Sequence, residues 1–337
     1  MTDNTYDVLV VGGGAAGLAG ALALARSRRS VLVVDAGDPR NVAADHVHNY
    51  LGREGSTPAD LYATGRAEIE QYGAQVRRGR VVAATPWAGP APGSTATGST
   101  ATGSTATGFT ATLEDGEQVQ ARRLLVTTGA TDRLPSTPGL AERWGRDVLH
   151  CPYCHGWEVR DRAIGVLAST PMAAHQALLF RQLSDDVVVL LDGGDHLTEA
   201  DRLRLAARGV RVVAAPVTEV VVEDDRLVGV RLEGGDVVAR DALVVASYVE
   251  ARSELLASLG AEVAPLEMGG IELGTQVVVD ATGRTTVPGV WAAGNVAVLN
   301  AQVITSAAAG LWAGAQVNMD LVDEEATAAV AAWEEAS

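Results

Sequence analysis

Tyr6-Asp7-Val8-Leu9-Val10-Val11-Gly12-Gly13-Gly14-Ala15-Ala16-Gly17 is the stretch that decides the fold. Asp7 to Val11 is a short apolar run ending in glycines, and Leu18 to Arg28 follow with the alanine and leucine content of a good helix former. Ser30 to Asp35 reads as a second strand, so the unit is β-α-β. Gly12, Gly14 and Gly17 have the Gly-x-Gly-x-x-Gly spacing that lets backbone amides and a helix N-terminus approach a pyrophosphate. Asp35 ends the second strand about 20 residues beyond the glycines, where a carboxylate accepts from a ribose hydroxyl. A bare glycine motif says little. A strand before it, a helix after it and an acid at the right distance make it a dinucleotide site.

Beyond this unit, Gly-Ser-Thr-Ala-Thr recurs from Gly93, a low-complexity stretch over 93–108 with the composition of a flexible linker. Strands at Arg80 to Ala84 and Phe109 to Leu113 flank it, so the expectation is a lengthened hairpin loop without chemistry. Arg123 to Thr128 is a further apolar strand, ending at Thr128-Gly129. Ala163 to Leu167, a helix over Met172 to Leu183 and a strand at Val187 to Leu191 make a second β-α-β unit. Strands at Val210 to Ala214, Glu219 to Val222, Leu227 to Leu232 and Leu243 to Ala246 complete it. Strands at Val277 to Asp280 and Val290 to Ala293 and a helix over Ser306 to Leu321 return to the first unit, and the acidic, alanine-rich tail after Asp323 reads as another helix. The fold class is α/β with two Rossmann-like nucleotide-binding domains.

A chain of 337 residues that is 47% hydrophobic can bury a sizeable core and suits two domains better than one. No basic segment precedes an apolar one at the start, and no apolar run is long enough to cross a bilayer, so the expected location is the cytoplasm. The formal net charge of −16 repels phosphate backbones, which argues against a nucleic-acid partner. The chain's two cysteines stand together in His150-Cys151-Pro152-Tyr153-Cys154-His155. In a reducing compartment such a pair is more often catalytic or metal-binding than a staple. Neighbouring residues point in different directions, so His150, Cys151, Cys154 and His155 do not readily close one zinc tetrahedron, and no second CxxC completes a site. No metal is expected. A CxxC at a helix start leaves one sulfur accessible and shields the other, the arrangement of a redox pair. Of the remaining histidines, His175 reads as a packing residue, and Trp157 beside the cysteines as a pocket-lining one.

Four segments together resemble the low-molecular-weight thioredoxin-reductase-type flavoproteins: Gly12 to Gly17 with Asp35, Thr127-Thr128-Gly129, the Cys151–Cys154 pair, and Thr286-Val287-Pro288-Gly289-Val290-Trp291-Ala292-Ala293-Gly294-Asn295-Val296. The resemblance spans nearly the whole chain apart from the repeat. It implies FAD held by residues 1–132 and 248–337, a smaller central NAD(P)-binding-like domain at 133–247 carrying the CxxC, and a homodimer. Residue by residue, it implies Gly12, Gly14, Ala15 and Gly17 at the pyrophosphate and Asp35 at the ribose. Arg40 and Asn41 fall on the adenosine side, with Asn49 beside the isoalloxazine, while His46 and His48 fall either near the flavin or in structural roles. Thr128, Gly129, Gln302 and Val303 complete the FAD contacts. Asn295 stands where the family has aspartate, and its amide can still bond a ribityl hydroxyl. Cys151 takes the place of the interchange thiol, Cys154 that of the sulfur facing the flavin. His155 replaces an acid/base aspartate; a histidine that titrates near neutrality suits the same proton transfer.

At the second fingerprint the chain departs from a nicotinamide enzyme. Leu167-Ala168-Ser169-Thr170-Pro171-Met172-Ala173 has Ala168 and Thr170 in place of the leading glycines, so side-chain carbons occupy space a pyrophosphate needs. The next strand ends in Leu191-Asp192-Gly193-Gly194-Asp195, carboxylates where a 2′-phosphate would need arginine. Asp192 alone keeps an NADH reading open. With electrons not entering from NADPH, the chain resembles the dithiol oxidases of disulfide natural products, of the gliotoxin and holomycin type. The expected reaction is oxidation of a small-molecule dithiol by the Cys151/Cys154 disulfide, then transfer through FAD to O2 with release of H2O2. The alternatives are an NAD(P)H- or ferredoxin-linked disulfide reductase acting on a thioredoxin-like protein, and a flavin-bound redox sensor.

Overall fold

In a computed structural model the described residues are 4–88, 107–192, 194, 196–268 and 270–337. The Thr5–Val11 strand, the Ala15–Arg26 helix and the Val31–Asp35 strand form the first β-α-β unit, and the two strands pair in parallel, Val8 with Val31 through Val11 with Val34. Buried on both faces, these strands are near-continuous valine and leucine, the pattern of a covered parallel sheet. Among the described residues seven strands make the sheet, with Gln75–Arg78, Val31–Asp35, Thr5–Val11, Gln118–Val126, Thr107–Leu113 and Val81–Ala88 in spatial order and Val290–Ala292 added in parallel on Gln118–Val126. Val81–Ala88 and Thr107–Leu113 pair antiparallel, as a hairpin requires, while the repeat between them lies largely outside the described residues.

A helix of 34 residues, Val303–Ala336, packs on Ala15–Arg26. The two backbones come so close that a Cβ on Gly310 would stand 1.9 Å from the Ala16 carbonyl oxygen. The expected tail helix and the helix at 306–321 are this one element. Arg123 anchors it, donating from Nε to Asp320 at 2.6 Å and from Nη2 to Glu324.

The second sheet is wholly parallel, in the order Arg211–Val213, Val187–Leu190, Ile164–Leu167, Ala242–Val245 and Val148–Leu149, with the Ala173–Phe180 helix as its crossover. A three-stranded antiparallel meander over Val217–Ala239 flanks it. The Ala130–Arg133 and Tyr248–Ala251 strands pair antiparallel with each other. The latter also pairs with Ile271–Val277. That strand, hairpinned to Val263–Met268, replaces the strand expected at 277–280, because Gly283 and the Asp280 side-chain bonds turn the chain there instead. Among the described residues no helix is long and apolar enough to cross a membrane.

Candidate functional site

A cavity of about 1600 Å3 runs from the first glycine turn to the cysteine pair, well beyond the roughly 300–1,000 Å3 of an ordinary small-molecule pocket. At one end each glycine has its own reason. Gly12 has φ +107°, and a Cβ there would lie 2.4 Å from the Thr127 carbonyl oxygen. A Cβ on Gly17 would lie 1.9 Å from the Gly12 carbonyl oxygen, so Gly17 lets helix and strand touch. Gly14, at the N-cap, would meet nothing within 4 Å: it opens on the cavity, and no side chain caps the helix. Uncapped first-turn amides with the helix dipole behind them are what an anionic pyrophosphate needs. The residues present therefore fit a dinucleotide. Asp35 Oδ1 accepts from the Gly13 amide at 3.1 Å and the Gly37 amide at 3.2 Å, which fixes the carboxylate at the turn.

Ala15, Asn41, Thr128, Gly129 and Val303 also line the cavity. Asn41 Oδ1 accepts from the buried Tyr62 hydroxyl at 2.9 Å, and the Thr128 hydroxyl donates to the Arg252 carbonyl at 2.7 Å. Arg40 is committed to the protein: it grips Asp132 bidentately, both bonds 2.7 Å, and reaches the Leu299 carbonyl at 2.9 Å. Burial pushes the Asp132 carboxyl up, but the Arg40 bonds outweigh it and hold it below the usual carboxylate range. The Ser247 hydroxyl adds a bond of 2.7 Å to Asp132, so the ion pair ties together both strands that join the two sheets. Asn295 spends its amide nitrogen on the carbonyls of Val298 at 3.1 Å, Leu299 at 3.0 Å and Ala301 at 2.9 Å. What it offers a ligand is Oδ1, an acceptor only.

At the far end Pro152–His155 is a short helix with Cys151 at its N-cap. Both cysteines are free thiols, half-buried. Cys151 is pulled down to about 7, first by a hydrogen bond from the Cys154 thiol, against the opposing effect of burial, then by the Tyr153 and Cys154 backbone amides and the Gln302 side chain. Cys154 is pushed far up by the neighbouring Cys151 and by burial. Cys151 is thus the thiolate of the pair and Cys154 its proton donor. Gln302 stands at the N-cap of the Val303–Ala336 helix, so that helix start and the cysteine pair meet.

His155 lines the cavity, and burial pushes its imidazole below the usual histidine value, which keeps it neutral and able to accept a proton at neutral pH. Its Nε2 is buried without a hydrogen-bond partner, as is Nδ1 of His150, whose own value is lowered by burial and then by Arg40. His175 is exposed and lines the cavity instead of packing; Trp157 is 65% exposed, is absent from the lining, and carries Arg160 stacked 4.2 Å from its ring centroid.

Of the residues expected beside the flavin, His46 and His48 line the cavity and Asn49 does not, and beside them the sequence reading missed Glu54 and Glu158. Asn49, at φ +59°, donates from Nδ2 to the Tyr153 carbonyl inside the CxxC, and its backbone N–H donates to Glu54 at 2.7 Å. Glu54 also holds His48 Nδ1 at 2.6 Å, and Glu158 lies 3.4 Å from His48 Nε2. Nothing in the spacing of 48, 54 and 158 signals this meeting; it needs the tertiary fold. Among the described residues no three His, Cys, Asp or Glu side chains converge as metal ligands.

The turn at 168–173 contrasts with the first. Ala168 is 1% exposed and has no left-handed backbone. The Thr170 hydroxyl accepts from the Met172 amide at 3.3 Å and the Thr170 carbonyl from Ala173 at 3.1 Å, while Pro171 has no N–H to give. Asp192, at φ +48°, accepts from the Val217 amide at 2.8 Å. The Met172 and Ala173 amides and Asp192 Oδ1 are occupied by the chain itself, and none of 168–172 lines the large cavity.

The family model described as pyridine nucleotide-disulphide oxidoreductase matches residues 6–314. Thioredoxin reductase tcpT of Claviceps purpurea (strain 20.1) is 32% identical over 330 residues, 95% of this chain and 96% of the relative. Thioredoxin reductase sirT of Leptosphaeria maculans is 28% identical over 339 residues, 96% and 97%. Among solved structures, the crystal structure of HlmI is 43% identical with a TM-score of 0.87, covering 98% of this chain and 97% of that one. An oxidoreductase from Agrobacterium tumefaciens is 33% identical with a TM-score of 0.82, covering 94% and 99%.

Proposed function

Because the chain belongs to the pyridine nucleotide-disulphide oxidoreductase family, in its thioredoxin-reductase-like branch, we propose that it is an FAD-dependent dithiol oxidase, acting as a homodimer. The observation that carries this is the asymmetry of the two turns: Gly14 and Ala15 open on the cavity at a helix start that no side chain caps, whereas at the 168–173 turn the Met172 and Ala173 amides bond Thr170 and none of 168–172 lines that cavity. The residue roles follow. His155 accepts a proton from a small-molecule dithiol, whose thiolate attacks Cys151 of the oxidised pair. The Cys151–Cys154 bond breaks, a mixed disulfide forms, and the second substrate thiol displaces Cys151 to leave as product disulfide. Two electrons then reside on the cysteine pair, with one proton on His155 and the other on Cys154 beside the Cys151 thiolate. Gly14, Ala15 and the Gln302–Val303 helix start would hold FAD, which would supply the two-electron acceptor between the cysteine pair and O2, with H2O2 as the product.

The curated relatives carry the name thioredoxin reductase, and a disulfide reductase fed by NAD(P)H or ferredoxin is the second reading. Mixing the purified flavoprotein with NADPH or NADH without air separates the two. The oxidase keeps its yellow flavin and bleaches only with a dithiol such as dithiothreitol, and then forms peroxide in air. Rapid bleaching by either nicotinamide would falsify it.

A further inference from the structure

Arg78 lines the same cavity as Asp35 and Gly37, yet among the described residues its guanidinium has neither a hydrogen-bond nor an ion-pair partner. Its position is fixed from two sides. The Gln75–Arg78 strand pairs in parallel with Val31–Asp35, which sets Arg78 opposite Asp35, and the Gly79 amide donates to the Asp35 carbonyl at 3.0 Å. The head group lies against Gly37, where a Cβ would stand 2.2 Å from Nη1, 2.7 Å from Cζ and 2.9 Å from Nη2. Asp35 Oδ1 accepts from the Gly13 and Gly37 amides, so the carboxylate is turned to those amides and forms no ion pair with Arg78. Three neighbouring parallel strands thus end side by side on the cavity: the first at Val11 before the glycine turn, the second at Asp35, the third at Arg78. Adjacent strands lie about 4.8 Å apart, and a ligand in the crevice outside strand ends lies across them.

We propose that Arg78 stacks its guanidinium on the adenine of FAD, with Gly37 as the support that holds the head group in place. The proposal rests on the FAD reading of the cavity. With the pyrophosphate at the first strand end and the ribose at the second, the base falls to the third. Adenine is flat and uncharged, and its π face suits a planar, delocalised, weakly hydrated cation; an ammonium carries the same charge without the plane. Asp35 and Arg78 then divide the adenosine between them, the carboxylate taking the sugar hydroxyls and the guanidinium the ring face. Val81 and Val82, which line this end of the cavity, add apolar contact at the rim.

The test measures the FAD dissociation constant of the purified holoprotein from the flavin released on dilution, read by fluorescence. Arg78→Leu is expected to weaken FAD binding about tenfold, the size of one stacking contact on a base. Arg78→Lys, which keeps the charge and loses the plane, should lose nearly as much. Gly37→Ala drives a Cβ into the guanidinium, so it should weaken binding in wild type and add less in the Arg78→Leu background. The strain of a Cβ at φ +75° is common to both backgrounds and cancels in that comparison. Wild-type affinity in Arg78→Leu overturns the proposal, and so does full recovery by lysine, which marks a charge contact, or strict additivity with Gly37→Ala. A wild-type protein that carries no FAD overturns the FAD reading and this proposal with it, whereas FAD-loaded wild type with unaffected Arg78 variants overturns this proposal alone.

Discussion

Asn295 Nδ2 donates to the Ala301 carbonyl at 2.9 Å, the tightest of three bonds by which one side chain shapes the 298–301 turn. That turn carries the Leu299 carbonyl bound by Arg40 and leads into Gln302, which supports Cys151. An aspartate at 295 donates nothing and sets a carboxylate against three carbonyl oxygens. Asn295→Asp is therefore expected to lose about 1 kcal/mol, since the half-buried side chain loses its hydrogen bonds but stays open to water, and to raise the Cys151 thiol. Asn295→Ala should be milder, because it removes the donor without adding charge. Thermal melts of the two variants check the order, and an aspartate variant as stable as wild type would defeat it.

Gly14 and Gly17 should separate cofactor binding from folding. Gly17→Ala forces a Cβ to 1.9 Å from the Gly12 carbonyl oxygen, and overpacking at backbone costs about 2–3 kcal/mol. Gly14→Ala meets nothing within 4 Å, so its fold should weaken by no more than about 1 kcal/mol, the loss of a favoured N-cap, while flavin content drops sharply. Melting curves and the yellow absorbance of the purified variants read both. Equal flavin content in Gly14→Ala and wild type would mean that the pyrophosphate does not approach there.

Alkylation of the reduced protein should follow Cys151. With its pKa lowered to about 7, the thiolate fraction is small below pH 6 and nearly complete above pH 8, so the iodoacetamide rate should rise through neutrality and level off. Cys154, pushed up by its neighbour, should remain unlabelled across that range. Cys154→Ser weakens the largest stabilising bond, and its Cys151 midpoint should move toward the free-thiol value of about 8.5. Mass mapping of the labelled cysteine decides it; preferential labelling of Cys154 would reverse the assignment.

Much of the fold could be read from local pattern. Val8 to Val11 and Val31 to Val34 are buried on both faces, and a continuous apolar run between glycines and a helix former has few other readings. The Pro58–Glu70 helix was missed although Thr57, accepting from the Asp60 amide, and Pro58 in its first turn form a local start signal, and the 263–277 hairpin pairs through Pro265 and Gly274, residues that weaken a strand pattern. The cysteine pair and the glycine turn were likewise legible, since CxxC and Gly-x-Gly-x-x-Gly do their chemistry over consecutive residues.

By itself, the sequence determined that a dinucleotide turn, a redox-type thiol pair and an obstructed second turn coexist in one α/β chain. Only the tertiary structure decided how residues distant in the chain are used: that Arg40 grips Asp132, that Asn295 spends its nitrogen on its own turn, that Asp192 serves Val217, and that Glu54 and Glu158 meet at His48. The division has a physical cause. Backbone conformation and steric exclusion act between near neighbours and leave motifs, whereas hydrogen bonds and ion pairs between distant residues depend on distances that no spacing along the chain encodes.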